Sequence, residues 1–157
     1  MKRMKGQQEI IDKLNELLAD ELTAVNQYFL HAEMCGDWGY DRLHEKIEER
    51  SIQEMKHAEM LMERILFLEG RPVVSVLNKI TIGDAVNEQL GFDHDAEVRA
   101  IRMYNEAIAL ATKLADNGTK ILVESILTDE EEHIDWIEEQ QDQIEQMGYQ
   151  RYLNKQV

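Results

Sequence analysis

Six side chains stand at one spacing that occurs twice. Glu21 is followed 33 positions later by Glu54 and then by His57, and Glu97 is followed 33 positions later by Glu130 and then by His133. The second set is the first displaced by 76 positions. Each half thus offers a lone glutamate and a Glu-x-x-His pair, and residues at i and i+3 share a helix face. Four carboxylates and two imidazoles suit two divalent metal ions held side by side in a helical bundle. In that arrangement Glu54 and Glu130 bridge the ions, Glu21 and His57 complete one, and Glu97 and His133 the other. Four carboxylates then offset four positive charges. Mixed oxygen and nitrogen ligation suits iron or manganese, and zinc would also bind. The competing account of the same residues is a buried Glu/His ion-pair network without metal.

The repeat reaches beyond these six. Glu21, Ala24, Val25 and Tyr28 align with Glu97, Ala100, Ile101 and Tyr104, which points to one helical hairpin used twice about a pseudo-two-fold axis. Tyr28 and Tyr104 each follow a candidate ligand by nearly two turns and are expected to hydrogen-bond near the cluster. Trp136, three residues after His133, is expected to pack beside it. His31, His44 and His94 read as surface residues or as residues behind the ligands. Asp41-x-x-His44 imitates the motif but has no counterpart in the other half. Cys35 reads as a packed or free thiol.

The elements that must carry these groups are helical. Apolar positions Ile10, Leu14, Leu17, Leu18, Val25 and Phe29 form one stripe over a helix from Gln7 to Cys35, which Gly36 ends and after which Asp37 can cap the next. A second helix runs from about Trp38 to Glu69, with Leu43, Ile47, Leu61, Ile65 and Leu68 inward, and stops at Gly70-Arg71-Pro72. A third starts near Asp84, a possible cap, and continues through Ile101, Ile108 and Ala111. It breaks between Lys113 and Gly118, where Asp116-Asn117-Gly118 is the strongest turn signal. Equal height of Glu97 and Glu130 favours an early turn there. The fourth helix carries Val123, Ile126, Leu127, Ile137 and Ile144 to about Met147. The tail from Tyr149 to Val157 has room for a turn or two of helix. All six candidate ligands fall on the apolar stripes, where a carboxylate is costly unless paired or metal-bound, whereas Glu45, Glu48, Glu63 and Glu139 lie off them.

From Gly70 to Gly83 the chain lacks a helical period but holds Val73, Val74, Val76, Leu77, Ile80 and Ile82. Fourteen extended residues cover ~46–50 Å, about the length of a 30-residue helix at ~45 Å. The segment can therefore run the length of a bundle, making helices two and three parallel. Its apolar side chains should lie against this bundle or a neighbouring subunit. The expected fold is all-α, one domain over residues 1–157: a four-helix bundle with a long crossover between helices two and three and a short C-terminal helix.

Composition narrows the function classes. At 157 residues with 43% hydrophobic content the chain fits one globular domain with a real core. No apolar run approaches the ~20 residues that cross a bilayer, and the basic start Met1-Lys2-Arg3-Met4-Lys5-Gly6 lacks the apolar stretch of a signal peptide. One cysteine precludes an internal disulfide and a Cys-x-x-Cys metal module, and fits a reducing cytoplasm. A formal charge of −15 offers no basic stripe for nucleic acid. That charge serves solubility, or concentrates cations near a metal site.

The stretches Glu21-Leu-Thr-Ala-Val-Asn-Gln-Tyr-Phe-Leu-His31, Glu54-Met-Lys-His-Ala58, Glu63-Arg-Ile-Leu-Phe-Leu-Glu-Gly70 and Asp129-Glu-Glu-Glu-His-Ile-Asp-Trp136 resemble the bacterioferritins, and the similarity spans essentially the whole chain. The resemblance implies a ferritin-like bundle assembled into a hollow shell of two dozen subunits. Such a shell oxidises Fe(II) with dioxygen or hydrogen peroxide and stores Fe(III) mineral. It implies that Glu21, Glu54, His57, Glu97, Glu130 and His133 form a ferroxidase centre of two iron ions per subunit. Met55, next to the bridging Glu54, matches the methionine that ligates haem b in this family, one haem being shared by two subunits. Read without the family, Met55 is a packing methionine. The resemblance also makes a ferredoxin-type electron donor a candidate partner, and Tyr28 or Trp136 a candidate electron source.

Relatives with an accessory inner-surface iron site carry acidic or histidine side chains near Glu49, Arg50 and Gln53. Here Arg50 and Gln53 are not anionic, which argues against a strong accessory site. Two other functions share parts of this pattern: a diiron oxidase or peroxidase that stores nothing, and a haem-bearing subunit of a mixed shell. A small assembly would mark the first, and missing ligands the second.

Overall fold

The computed structural model describes residues 5–157. The stretch Met1–Met4 of the basic N-terminus lies outside the described residues. Four long helices and one short one make up the fold: α1 (Gln8–Asp37), α2 (Asp41–Phe67), α3 (Val86–Lys113), α4 (Asn117–Met147) and α5 (Tyr149–Asn154). No strand occurs among the described residues, and no described helix is long and apolar enough to cross a membrane.

Cross-helix hydrogen bonds fix the topology. Tyr28 of α1 reaches Glu97 of α3, while Tyr104 of α3 reaches Glu21 of α1, so these two helices are antiparallel. The short turn at residues 38–40 makes α1 and α2 antiparallel as well. It follows that α2 and α3 are parallel, as the length of the crossover requires. The expected bundle with two hairpins and a long crossover is the one observed.

The helix ends follow a shared device. Gly39, Glu69 and Ala115 have positive φ of 84°, 62° and 55°. At each, the next residue's N–H bonds back to a carbonyl five positions earlier: Tyr40 to Cys35, Gly70 to Ile65, and Asp116 to Ala111. This left-handed stop captures carbonyls the helix leaves without partners. Its placement corrects three expectations. Gly36 does not end α1; it lies inside the last turn, and a Cβ there would sit 3.0 Å from the His44 ring. Asp37 is likewise helical and caps nothing, so α2 starts at Asp41. Ala85 rather than Asp84 occupies the cap position of α3. The early turn after Lys113 is present, and Asp116 caps α4 by accepting the Thr119 N–H at 3.1 Å. Arg64 reaches across from α2 to Asp116 at 2.9 Å, over Gly118, where a Cβ would lie 2.6 Å from its guanidinium.

The crossover is held through polar contacts. Asn15, Thr23, Gln27 and His31 of α1 accept hydrogen bonds from the backbone N–H groups of Val73, Asn78, Thr81 and Gly83 at 2.8–3.2 Å. Thr23, Gln27 and His31 recur every four residues, so one helix face satisfies the backbone of an extended strand that has no sheet to join. Val73, Val74, Val76 and Leu77 consequently face outward and exposed. The segment thus lies against this bundle, with Ile80 and Ile82 half-buried, while these four side chains stay open to a neighbouring subunit. Burial of that second face also displaces the expected stripe: beyond Val25 the inward residues are Tyr28, Ala32 and Cys35, and Phe29 is exposed.

Two apolar clusters fill the bundle. One contains Leu14, Leu17, Leu61, Ile65, Val123 and Ile126; the other contains Ala32, Leu43, Ile47, Leu90, Ile137 and Tyr152 of α5. Between them lies a buried layer of charge.

Candidate metal centre

That layer is the six candidate ligands, one glutamate each from α1 and α3 and one Glu-x-x-His each from α2 and α4. All are buried to within 2% exposure. Their donor atoms form two groups, Glu21, Glu54, His57, Glu130 and Glu54, Glu97, Glu130, His133, each with all atoms within 4.8 Å of one another. Glu54 and Glu130 belong to both groups, the position a bridging carboxylate needs. The His57 Nδ1 lies 3.0 Å from Glu130, 3.5 Å from Glu54 and 3.7 Å from Glu21. The His133 Nδ1 lies 2.8 Å from Glu54 and 3.5 Å from both Glu97 and Glu130.

The outer atoms of these groups are satisfied and the inner ones are not. Tyr104 donates to Glu21, and Tyr28 to Glu97, each at 2.5 Å. The His57 Nε2 bonds to Asp129 at 2.8 Å, and the His133 Nε2 to Gln53 at 2.6 Å. Because Asp129 and the Gln53 carbonyl oxygen are acceptors, each Nε2 carries a hydrogen and each Nδ1 is the nitrogen turned toward the carboxylates, a metal donor once it is deprotonated. Among the described residues, the buried side-chain atoms without a hydrogen-bond partner are one from each candidate ligand: Glu21 Oε2, Glu54 Oε1, His57 Nδ1, Glu97 Oε2, Glu130 Oε1 and His133 Nδ1. Several of these approach one another closely yet are not aligned as hydrogen bonds. Donor atoms clustered this closely fit a cation between them. The donor set therefore fits two metal ions, whose charge would take the place of the protons that otherwise hold these groups together.

Without metal, protons must supply the missing positive charge. Burial, followed by repulsion from neighbouring carboxylates, raises Glu54, Glu97 and Glu130 well above the usual carboxylate range. Burial pushes Glu21 the same way, but hydrogen bonds with Glu54 and His57 outweigh it and hold Glu21 below its ordinary value. Burial disfavours a charged His57, yet contacts with Glu130, Glu21 and Glu54 outweigh that and raise its pKa. Tyr28 and Tyr104 are raised by burial and then by the adjacent carboxylates, so both stay neutral donors.

Around this core the expectations divide. Trp136 lines a small cavity with Tyr28, Glu97 and His133, and Arg50 lies over its ring at 5.6 Å. Met55 is 54% exposed and faces away from the centre. His44 and His94 are at the surface, bonded to Ala32 and Glu138. His31 corrects the surface alternative: it is fully buried and bridges Asp93 to the crossover at Gly83. Cys35 is free and buried, its thiol pushed up to about 12 by burial and then by Asp93. Reading residues singly missed Gln53 and Asp129 as orienters of the histidines. The available signal was their register, since each immediately precedes a glutamate shared by the two groups, 76 positions apart.

Residues 11–147 match the ferritin-like domain family. The chain is 44% identical to the bacterioferritin of Brucella melitensis, over 95% of its own length and 92% of that protein's. It is 40% identical to the bacterial ferritin of Synechocystis sp., over 98% and 99% of the two lengths. A further bacterioferritin, from Streptomyces coelicolor, is 40% identical over 96% and 90%. A buried six-ligand layer in a crossover-linked four-helix bundle and full-length similarity of this degree lead to one assignment: the chain belongs to the ferritin-like family, among the bacterioferritins.

Proposed function

We propose that this protein stores iron, and that it does so as a ferroxidase: two Fe(II) ions bind per chain as substrate at the six-residue centre and are oxidised by dioxygen or hydrogen peroxide. The observation that carries this reading is the set of six orphaned, converging donor atoms, one from each ligand. Glu21 and His57 hold one ion, Glu97 and His133 the other, and Glu54 and Glu130 bridge them. Two adjacent Fe(II) ions yield two electrons together, which reduces dioxygen to the peroxide level without releasing a one-electron oxygen species. Tyr104 and Tyr28 hold Glu21 and Glu97 in orientation, and the protons carried by the metal-free carboxyls leave as iron enters. Oxidised iron collects inside a homo-oligomeric shell formed by whole chains, each acting as one domain, in the cytoplasm.

A haem b shared by two chains fits Met55. Its thioether stands outside the bundle, one turn from the exposed Ile52 on the same helix face, where a two-fold mate can supply the second ligand. Bound there, haem would pass electrons from a ferredoxin-type donor to stored Fe(III).

Replacement of one bridge tests the centre. Glu130→Ala should abolish rapid iron oxidation, a loss of at least about a hundredfold, while circular dichroism shows the helices retained. Oxidation as fast as in the parent would falsify the assignment.

A further inference from the structure

We propose that the two metal positions are unequal, and that the Glu21–His57 position takes a divalent ion ahead of the Glu97–His133 position, because Asp129 backs one imidazole and Gln53 the other. The inference rests on the dimetal reading above. Each orienting residue immediately precedes a bridging glutamate and serves the histidine of the opposite half. Gln53 of α2 bonds His133 of α4, and Asp129 of α4 bonds His57 of α2. The pseudo-two-fold repeat is therefore kept in geometry and broken in charge.

A carboxylate accepting the Nε2 hydrogen pushes electron density onto the imidazole and strengthens Nδ1 as a donor. A neutral amide oxygen holds the same tautomer with less push. The two other buried aspartates near the positions are each engaged by partners of their own. Asp20 precedes Glu21 and is paired with Arg99 at 3.0 Å. On the other side Asp93, one turn before Glu97, is held by Gln27 and His31, each at 2.9 Å. Each position thus has one further buried aspartate with partners of its own, and the difference in direct contact with a candidate histidine ligand is Asp129 against Gln53. Outer-ligand partners of a metal-bound histidine change affinity roughly 10- to 100-fold. The Asp129 side chain is 35% exposed, so solvent screening places the expected ratio at the low end, about tenfold.

The test uses the assembled, metal-free protein and cobalt(II), which is not oxidised at the centre. Calorimetric titration should show two binding steps with dissociation constants about tenfold apart. Crystals loaded with one equivalent per chain should place most anomalous scattering at the Glu21–His57 position. Gln53→Asp should raise affinity at the second position and bring the two occupancies together. Asp129→Asn keeps an acceptor in place but removes the charge, so it too should level them, by weakening the first position. A purely structural role for Asp129 predicts unchanged asymmetry in that variant. Equal occupancy in the parent at one equivalent, or asymmetry surviving both substitutions, overturns the inference and leaves the dimetal centre standing. Failure of the parent to bind cobalt at all overturns both.

Discussion

Placing four glutamates in a core demands compensation, because an uncompensated buried charge costs several kcal/mol. The metal-free centre obtains it from protons, and this has a consequence in pH. Glu54, Glu97 and Glu130 have folded-state pKa values above their ordinary ones, as does His57. The native state therefore binds more protons than the unfolded chain above about pH 4.5, and stability falls as pH rises. Glu21 shifts the opposite way, but its contribution changes only below its ordinary value. Metal-free protein should thus melt at a lower temperature at about pH 8 than at about pH 5, and saturating cobalt or zinc should remove most of that slope. A metal-free melting temperature that rises over this range would contradict the protonated description. The six candidate ligands, which the fold does bring together, were legible in the sequence because their spacing repeats and because they interrupt apolar stripes. Gln53 and Asp129 were not, since a polar residue on a helix has many uses and only its partner across the bundle reveals which one applies.

At the level of elements, the periodicity of Leu14, Leu61, Val123 and their neighbours gave the four long helices and their inward faces. The ends were less legible. Glycine is the expected stop residue, and α1 and α4 end at positive-φ glycines, Gly39 and Gly148, but α2 and α3 stop at Glu69 and Ala115. Tertiary demands override local preference there: Asp116 must sit where it can cap α4 and meet Arg64. Ala115 accordingly carries strain of about 1–2 kcal/mol. Ala115→Gly relieves it against a greater loss of unfolded-state freedom of about 0.4–1 kcal/mol. The variant should gain roughly 0.5–1 kcal/mol in urea unfolding of the dissociated chain; a loss would show that Ala115 is unstrained. His31 teaches a related lesson. Its burial was invisible from the α1 stripe because its partner is an extended backbone 52 residues away, which no helical period encodes.

At the scale of the whole molecule, the outward apolar side chains matter most. Val74, Val76 and Leu77 of the crossover, Phe29 and Leu30 of α1, and Leu66 and Phe67 of α2 are all exposed on the single chain. Patches of this kind mark association surfaces, as the proposed shell requires; two dozen chains of 18.4 kDa would weigh roughly 440 kDa. Haem offers the sharpest test of how two of those chains meet. If a pair of Met55 thioethers ligates one iron, the site exists only at a two-fold interface, and loading should saturate at about one haem per two chains. Met55→Leu preserves side-chain volume and removes the ligand, so it should abolish the Soret band while leaving the assembly mass and the rate of iron oxidation unchanged. Reductive release of stored iron should slow in that variant, because the electron relay is lost and the ferroxidase centre is not. A fully assembled parent, supplied with excess haem and showing no Soret absorbance, would remove haem from the account and leave the ferroxidase centre intact.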